Sequence, residues 1–387
     1  MKTMFFNASN LIHEHFLNHI QAFHPISWFY WDPPREAFTI PFIDHPVFWY
    51  GILFVTGFIL AYFIINPILA RYLVDIRCIC DIDIKNWPLF ISQLRSSSSP
   101  LIDSIKKECD LVTQKQLNAK DESPLTSKLQ QGILDGVNRV LRSGSGSRHE
   151  LEHFFPSSLA SPKETAYTLG DRICWFTVAG TIIGARLGEV FFYGWPYFKE
   201  HPTEIFKVWH GGLASHGGVL GVMLALYLCS AYIQRSIPSF TFLRLLDYVA
   251  IPSALVAFFI RLGNFMNQEI VGTPTDLPWG VLFLHPAEDI TPVPRHPVQL
   301  YEAAIYLVTF VILVYMWKKQ SINEKPGALV GTLFILIFGG RFMMEFWKSI
   351  QESSLTDASI LQIGQILSIP FIFLGFFLVW QAKRKFS

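Results

Sequence analysis

Long apolar stretches alternate along this chain with polar ones. Seven such runs, at 47–69, 169–193, 213–234, 245–262, 300–317, 329–346 and 360–381, lie near the roughly 20 residues a helix needs to cross bilayer hydrocarbon. They predict an all-α polytopic membrane protein with about seven transmembrane helices. The second and fourth runs are the least continuous because each holds arginine, including Arg186 and Arg261; six spans is the alternative reading. Arginine within a span lowers its hydropathy, yet it is also what a functional membrane helix shows.

Between the first two runs the pattern changes to polar and charged, with serines before Pro100 and a glycine-serine stretch at 143–147. The organisation expected is an extracytoplasmic N-terminal segment, 1–46, and a transmembrane domain, 47–387, interrupted by a polar cytoplasmic insertion at about 78–165. Within the insertion, 101–117 has apolar residues at helical spacing beside Lys106, Lys107 and Lys115. That suits a short amphipathic helix on the inner leaflet, or a disordered tether. In the second run Gly180, Gly184 and Gly188 recur every fourth residue, a small-residue face on which another helix packs closely. Arg186 and Glu189 stand at i and i+3, close enough on a helix to pair.

Composition strengthens the membrane reading: 51% of residues are hydrophobic and only 16% charged, against about 25% charged in soluble domains. Lysine and arginine follow runs one, three, five and seven, whereas the opposite flanks carry few. The positive-inside rule therefore puts the N-terminus outside and the C-terminus in the cytoplasm. Residues 1–46 lack the pattern of a signal peptide, so the first run is expected to be an uncleaved anchor. The formal net charge of +1 gives no basis for nucleic-acid binding. All five cysteines fall in the insertion or in spans, which does not support a disulfide framework. Neither a P-loop nor GxSxG occurs, and the one HExxH, HELEH at 149–153, lies in the polar insertion rather than in a span, so an intramembrane metalloprotease and an ATP-driven pump find no support.

Candidate chemistry falls on the outer side of the predicted spans. Trp49-Tyr50-Gly51 opens the first. The stretch 210–221, HGGLASHGGVLG, carries His210 and His216 between glycines, and neutral imidazole at His216 can take a proton near pH 7. Residues 261–272, RLGNFMNQEIVG, contain Arg261, Asn264, Asn267, Glu269 and Gly272; residues 295–302, RHPVQLYE, contain Arg295, His296, Tyr301 and Glu302; and Gly340-Arg341 precedes Glu345 by one turn. Each arginine alone suits an interfacial snorkel or a structural pair such as Arg341 with Glu345. Two near one leaflet, beside Asn264 and Asn267, favour a site for an anionic headgroup, since guanidinium stays charged and grips phosphate as a fork. His216 also suits a hydrogen-bonded structural role, and Tyr50 an interfacial aromatic one. His13, His15, His19 and His24 lack acidic partners at ligand spacing, so no metal site is expected. Asp247, at the inner start of the fourth run, suits a helix cap. A lipid-headgroup enzyme, a lipid or anion transporter and a scaffold all remain open at this level. The outward clustering favours the enzyme over a transporter with a midplane site.

The motifs together resemble the bacterial prolipoprotein diacylglyceryl transferase family: HPVFWYG at 45–51, GGLASHGG at 211–218, RLGNFMNQE, RHPVQLYE, Gly340-Arg341 through Glu345, and GQILSIP at 364–370. The resemblance covers 46–380 apart from the insertion. It implies a seven-helix inner-membrane enzyme, active on the extracytoplasmic side. Its substrates would be phosphatidylglycerol, among the membrane lipids, and prolipoprotein signal peptides with a lipobox cysteine. The reaction it implies moves diacylglyceryl onto the cysteine thiol, giving a thioether and glycerol-1-phosphate, with no cofactor, metal or nucleic acid. It implies catalytic roles for His216, Arg261 and Arg341, and substrate contacts by Tyr50, Arg186, Arg261, Asn264, Glu269, Gly272, Arg341 and Glu345. The sequence departs from the family at His210, usually acidic; Glu189, usually tyrosine; Lys348, usually arginine; and Ile337, a tyrosine in some members. The insertion is a further departure.

Overall fold

The computed structural model describes residues 29–41, 45–75, 84–118, 126–207, 214–235, 237, 239–287, 290–319, 326–349 and 361–384. Strands β1 (Phe29–Trp31), β2 (Glu36–Ile40) and β3 (His45–Phe48) lead into α1 (Trp49–Asp75). The insertion forms α2 (Trp87–Ser96), α3 (Pro100–Glu108), α4 (Leu111–Asn118), α5 (Ser127–Arg142) and α6 (Arg148–Phe154). There follow α7 (Pro162–Phe192), α8 (Trp195–Glu200), a 3-10 turn (Pro202–Phe206), α9 (Ser215–Gln234), α10 (Phe242–Met266), β4 (Val281–Phe283), α11 (Val298–Lys319), α12 (Ala328–Met344), a 3-10 turn (Glu345–Trp347) and α13 (Ile363–Arg384). Among the described residues seven helices, α1, α7 and α9 to α13, are long and apolar enough to cross a membrane. Both arginine-bearing runs are among them, so the chain is a multi-pass membrane protein with seven spans rather than six. Phe63, Trp175, Leu220 and Phe373 expose apolar side chains on these helices, an arrangement suited to lipid as the solvent.

The chain forms two compact units: Met1–Phe58, Ala254–Thr309 and Phe334–Phe373 make the first, and Ile59–Ser253, Phe310–Leu333 and Leu374–Ser387 the second. In the second unit the glycine face of α7 packs on α9. A Cβ on Gly184 would come within 2.4 Å of the Gly217 carbonyl oxygen, and one on Gly188 within 2.7 Å of Gly217 Cα. Gly217 and Gly221, which frame the histidine stretch, therefore serve helix contact at backbone distance. Asp247 caps a helix, though not its own: its two carboxylate oxygens accept from Gly327 N at 2.6 Å and Val330 N at 2.9 Å, at the start of α12.

The insertion folds into helices around a core of its own rather than forming a disordered tether. The 101–117 stretch is two helices, broken where Asp110 Oδ1 accepts from Thr113 N at 2.6 Å. Its apolar face is spent on a protein core: Ile102 and Ile105 are fully buried with Phe90, Leu94, Ile133, Val137, Leu151 and Phe155. Asn86, Ser99, Thr126 and Ser147 each cap a helix by accepting a backbone N–H from the first turn. The two ends meet, Ile84 bridging Leu159 and Lys85 N donating to Ser158 O at 2.9 Å.

In the first unit, the described part of the N-terminal segment is built into the fold. β1 pairs in parallel with β4, and β2 with β3 antiparallel. Trp31 stacks on Phe265 with ring centroids 4.4 Å apart and donates its indole N–H to the Phe265 carbonyl at 2.9 Å.

Candidate active site

The first unit holds a chain of buried charges. Arg261 and Asn264, one turn apart on α10, share a face, and the guanidinium donates to Asn264 Oδ1 at 3.1 Å. Asn264 Nδ2 in turn donates to Glu269 Oε1 at 2.8 Å, and Asn267 Nδ2 to the same oxygen at 3.4 Å. Glu269 gets there because the chain leaves α10 through left-handed backbone: Gln268 has φ 55° and Ile270 φ 58°. For a β-branched residue that conformation is costly. The carbonyl and side-chain oxygens of Gln268 accept from Ala287 N and His285 N, and Gln299 Nε2 donates to Glu269 O at 2.8 Å, so neighbours hold the turn.

Across from this segment, Glu302 on α11 is fully buried and sits between two cations. Arg261 Nε lies 2.9 Å from one carboxylate oxygen, and Lys348 Nζ 2.9 Å from the other. Lys348 also reaches Glu345 at 3.2 Å. Glu345 therefore pairs with Lys348 rather than with Arg341, because α12 ends at Met344 and the next turn is 3-10. Among the described residues, Arg341 has no ion-pair partner. Gly364 leaves room for the Glu345 carboxylate, since a Cβ there would lie 2.2 Å from Oε1. The Tyr50 ring covers the backbone of Gly263, whose Cβ would meet it at 2.7 Å.

Next to this network the segment after Gly272 runs between two others. Gly272 N donates to His296 O at 3.1 Å, His296 N to Thr273 O at 3.0 Å and Thr273 N to Trp347 O at 2.8 Å. A Cβ on Gly272 would lie 2.4 Å from the His296 carbonyl oxygen, so that position serves close backbone approach. Arg295, also buried, donates to Gly272 O and Ser349 Oγ, each at 3.1 Å. It braces this lattice. Beside it opens a cavity of about 410 Å³ lined by Leu277, Trp279, His296, Tyr301, Met344 and Trp347. Trp279 Nε1 donates to the Tyr301 hydroxyl at 2.8 Å, and His296 Nδ1 lies 3.3 Å from that same oxygen. Burial lowers the His296 pKa below the ordinary imidazole value, favouring the neutral ring.

The structure thus brings Tyr50, Arg261, Asn264, Glu269, Gly272, Arg341 and Glu345 into one unit. Arg186 belongs to the second. There its guanidinium donates to the backbone carbonyls of Glu204, Ile205 (2.9 Å) and Lys207 (3.3 Å) and covers the Phe198 ring at 4.9 Å. Glu189 makes no ion pair with it among the described residues, so the expected pairing of the two is replaced by a carbonyl cage. His216 is the second residue of α9; its side chain, like His210, lies outside the described residues. Ile337 stands in α12 without a hydroxyl to offer. Sequence reasoning undervalued Glu302 and Lys348. An acid inside a predicted span was the available signal for the first, since such a residue by default has a partner and a purpose. For Lys348 the local signal was Glu345 three residues before it, whereas its partner Glu302 comes from α11.

Comparison with known proteins gives one consistent result. The family model for prolipoprotein diacylglyceryl transferase matches residues 154–381. Over 362 residues the chain is 53% identical to the phosphatidylglycerol--prolipoprotein diacylglyceryl transferase of Protochlamydia amoebophila, covering 93% of this chain and 96% of the relative. The protein of the same name from Chloroherpeton thalassium is 44% identical over 54% of this chain and 75% of its own. The one from Chlamydia pneumoniae is 46% identical over 52% and 69%. A match over 93% of the chain takes in most of the insertion, so the Protochlamydia relative shares it. The other two matches span only about half the chain.

Proposed function

Because the chain belongs to the prolipoprotein diacylglyceryl transferase family, an enzyme moving the diacylglyceryl group of phosphatidylglycerol to prolipoproteins, we propose how its residues do so. The acceptor is the lipobox cysteine of the signal peptide. Its sulfur attacks the glycerol carbon that bears the phosphate ester; the C–S bond forms, the C–O bond breaks, and glycerol-1-phosphate leaves. The thiol proton goes to a base, for which we assign His216. A free thiol with pKa near 8.5 is mostly protonated at neutral pH, so removing that proton speeds attack.

The observation that carries this reading is the buried charge network of the first unit. Glu302 lies between Arg261 and Lys348, Lys348 also reaches Glu345, and Asn264 links Arg261 to Glu269. Arg341, with no carboxylate of its own among the described residues, is the group we assign to the phosphate together with Arg261. As the leaving phosphate gains charge, fixed guanidinium groups in a poorly hydrated site stabilise it, often the largest catalytic contribution. Tyr50, Asn264, Glu269, Gly272 and Glu345 shape that headgroup site, and Arg186 holds the loop after α8 for substrate passage. The charge bias across the spans supports a bacterial inner-membrane enzyme working on the extracytoplasmic side.

The test is transfer of radiolabel from phosphatidylglycerol to a lipobox peptide and to its cysteine-to-serine form. Label is expected only on the cysteine peptide. Arg261→Ala is expected to lower transfer by at least about a hundredfold, the scale of losing one electrostatic stabiliser, while the protein still inserts. His216→Gln should be slow at neutral pH and regain rate as the assay becomes alkaline. Normal transfer by the Arg261 variant would remove the phosphate role, and unchanged activity in the His216 variant would remove the base.

A further inference from the structure

The cavity beside the charge network has a different character from the network itself. Leu277, Trp279, Tyr301, Met344 and Trp347 give it apolar and aromatic walls, and among the described residues His296 is the one basic group that lines it. Yet Tyr301, Met344 and Trp347 each immediately precede a member of the network: Glu302, Glu345 and Lys348. Three adjacent residue pairs thus give one side chain to the network and one to the cavity wall. Its size, about 410 Å³, falls within the range of small-ligand pockets.

The two substrates differ in the same way. The phosphodiester is an anion and finds its counter-charges in the network. The acceptor brings an uncharged thiol flanked by uncharged residues. A cavity with no Lys or Arg among the described residues of its lining suits the second.

A hydrocarbon tail is the other apolar ligand to hand, and the polar edge of the cavity argues against it. Trp279 already donates to the Tyr301 oxygen, and His296 Nδ1 faces that oxygen too. The other ring nitrogen of His296 makes no hydrogen bond among the described residues, and an acyl chain would cover it without offering one, which is costly. An extended peptide, with its carbonyls and thiol, supplies one. The rim is also fixed in advance, because Gly272 and Thr273 tie down the main chain of His296 and Trp347.

We propose that this cavity seats the acceptor peptide, receiving the apolar residues beside the lipobox cysteine, with His296 and Tyr301 hydrogen-bonding its backbone. The proposal rests on the transferase reading and adds where its second substrate lies.

Leu277→Trp fills the cavity from a part-exposed loop position, and Met344→Trp fills it from the end of α12. The full-length enzyme would be assayed in mixed micelles with phosphatidylglycerol and lipobox peptide varied independently. Binding of a fluorescent cysteine-to-serine peptide would be measured without turnover. Each variant is expected to raise the peptide KM and the Kd of the serine peptide by about tenfold or more, that is at least about 1.4 kcal/mol. The KM for phosphatidylglycerol should stay within about twofold, under about 0.5 kcal/mol. A higher lipid KM with unchanged peptide binding would overturn the proposal in favour of an acyl-chain pocket; no change in either constant would overturn it outright. Wild-type enzyme that binds the serine peptide, loses it in the Leu277 variant, yet transfers no label would refute the transferase reading and leave the peptide site standing.

Discussion

Glu302 shows how a single side chain sets the character of the site. A carboxylate with no exposed surface is tolerable only when its charge is compensated, and here Arg261 and Lys348 each approach to 2.9 Å. Removing it leaves two buried cations facing one another. Glu302→Ala is expected to cost about 3–5 kcal/mol of stability, the scale for breaking a buried pair. Adding Lys348→Met should recover part of that loss, as read by thermal unfolding in detergent. Strictly additive losses in the double variant would show that the two residues do not share a network. The same geometry explains why lysine serves at 348. Its ammonium lies between Glu302 and Glu345 as a point charge, and nothing in that contact requires the fork of an arginine.

At the scale of elements, burial is used in two ways. The α7–α9 contact is made by glycine against glycine, where lipid offers no hydrophobic drive and close backbone packing supplies the attraction. The insertion instead buries aliphatic side chains with Phe90 and Phe155 in a core enclosed by capped helices. Cys109 reports on that core: it is 4% exposed, and burial pushes its thiol up to about 11. The raised value means that the folded state favours the neutral thiol. Its stabilising effect is complete below the unfolded thiol's pKa and is lost as pH rises through about 11. In a variant keeping only Cys109, labelling by a thiol reagent at pH 8 should be slow in the native protein and fast after denaturation. It should accelerate as alkali approaches that pKa. Rapid labelling of the native protein at pH 8 would show that the insertion core opens.

For the whole molecule, the junction of the insertion matters more than its length. Ile84 and Leu159 are bridged through their backbones, so the chain enters and leaves the domain at one place. Replacing 86–158 by a short glycine-serine linker should therefore leave α1 and α7 connected without strain. The expected outcome is a protein that inserts and retains transfer within about threefold, under about 1 kcal/mol of barrier. Loss of transfer in correctly inserted protein would mean the domain acts on the reaction. The match to the Protochlamydia relative, which takes in the insertion, makes that protein a natural second subject for the same excision.

Spans, glycine face and arginine motifs were legible in the sequence because each depends on local pattern: run length against bilayer thickness, i to i+4 spacing, and the rarity of charge in apolar runs. The tertiary structure alone decided who pairs with whom. Arg341 with Glu345 and Arg186 with Glu189 were reasonable helical pairs, yet Glu345 turned to Lys348 and Arg186 to the carbonyls of the 204–207 loop. Asp247 capped a helix some 80 residues away in sequence. An ion pair is chosen by whichever partner the folded chain brings within about 4 Å, and sequence separation carries no information about that distance. The insertion's core was hidden for a related reason: amphipathic spacing predicts an apolar face, but not whether lipid or protein covers it.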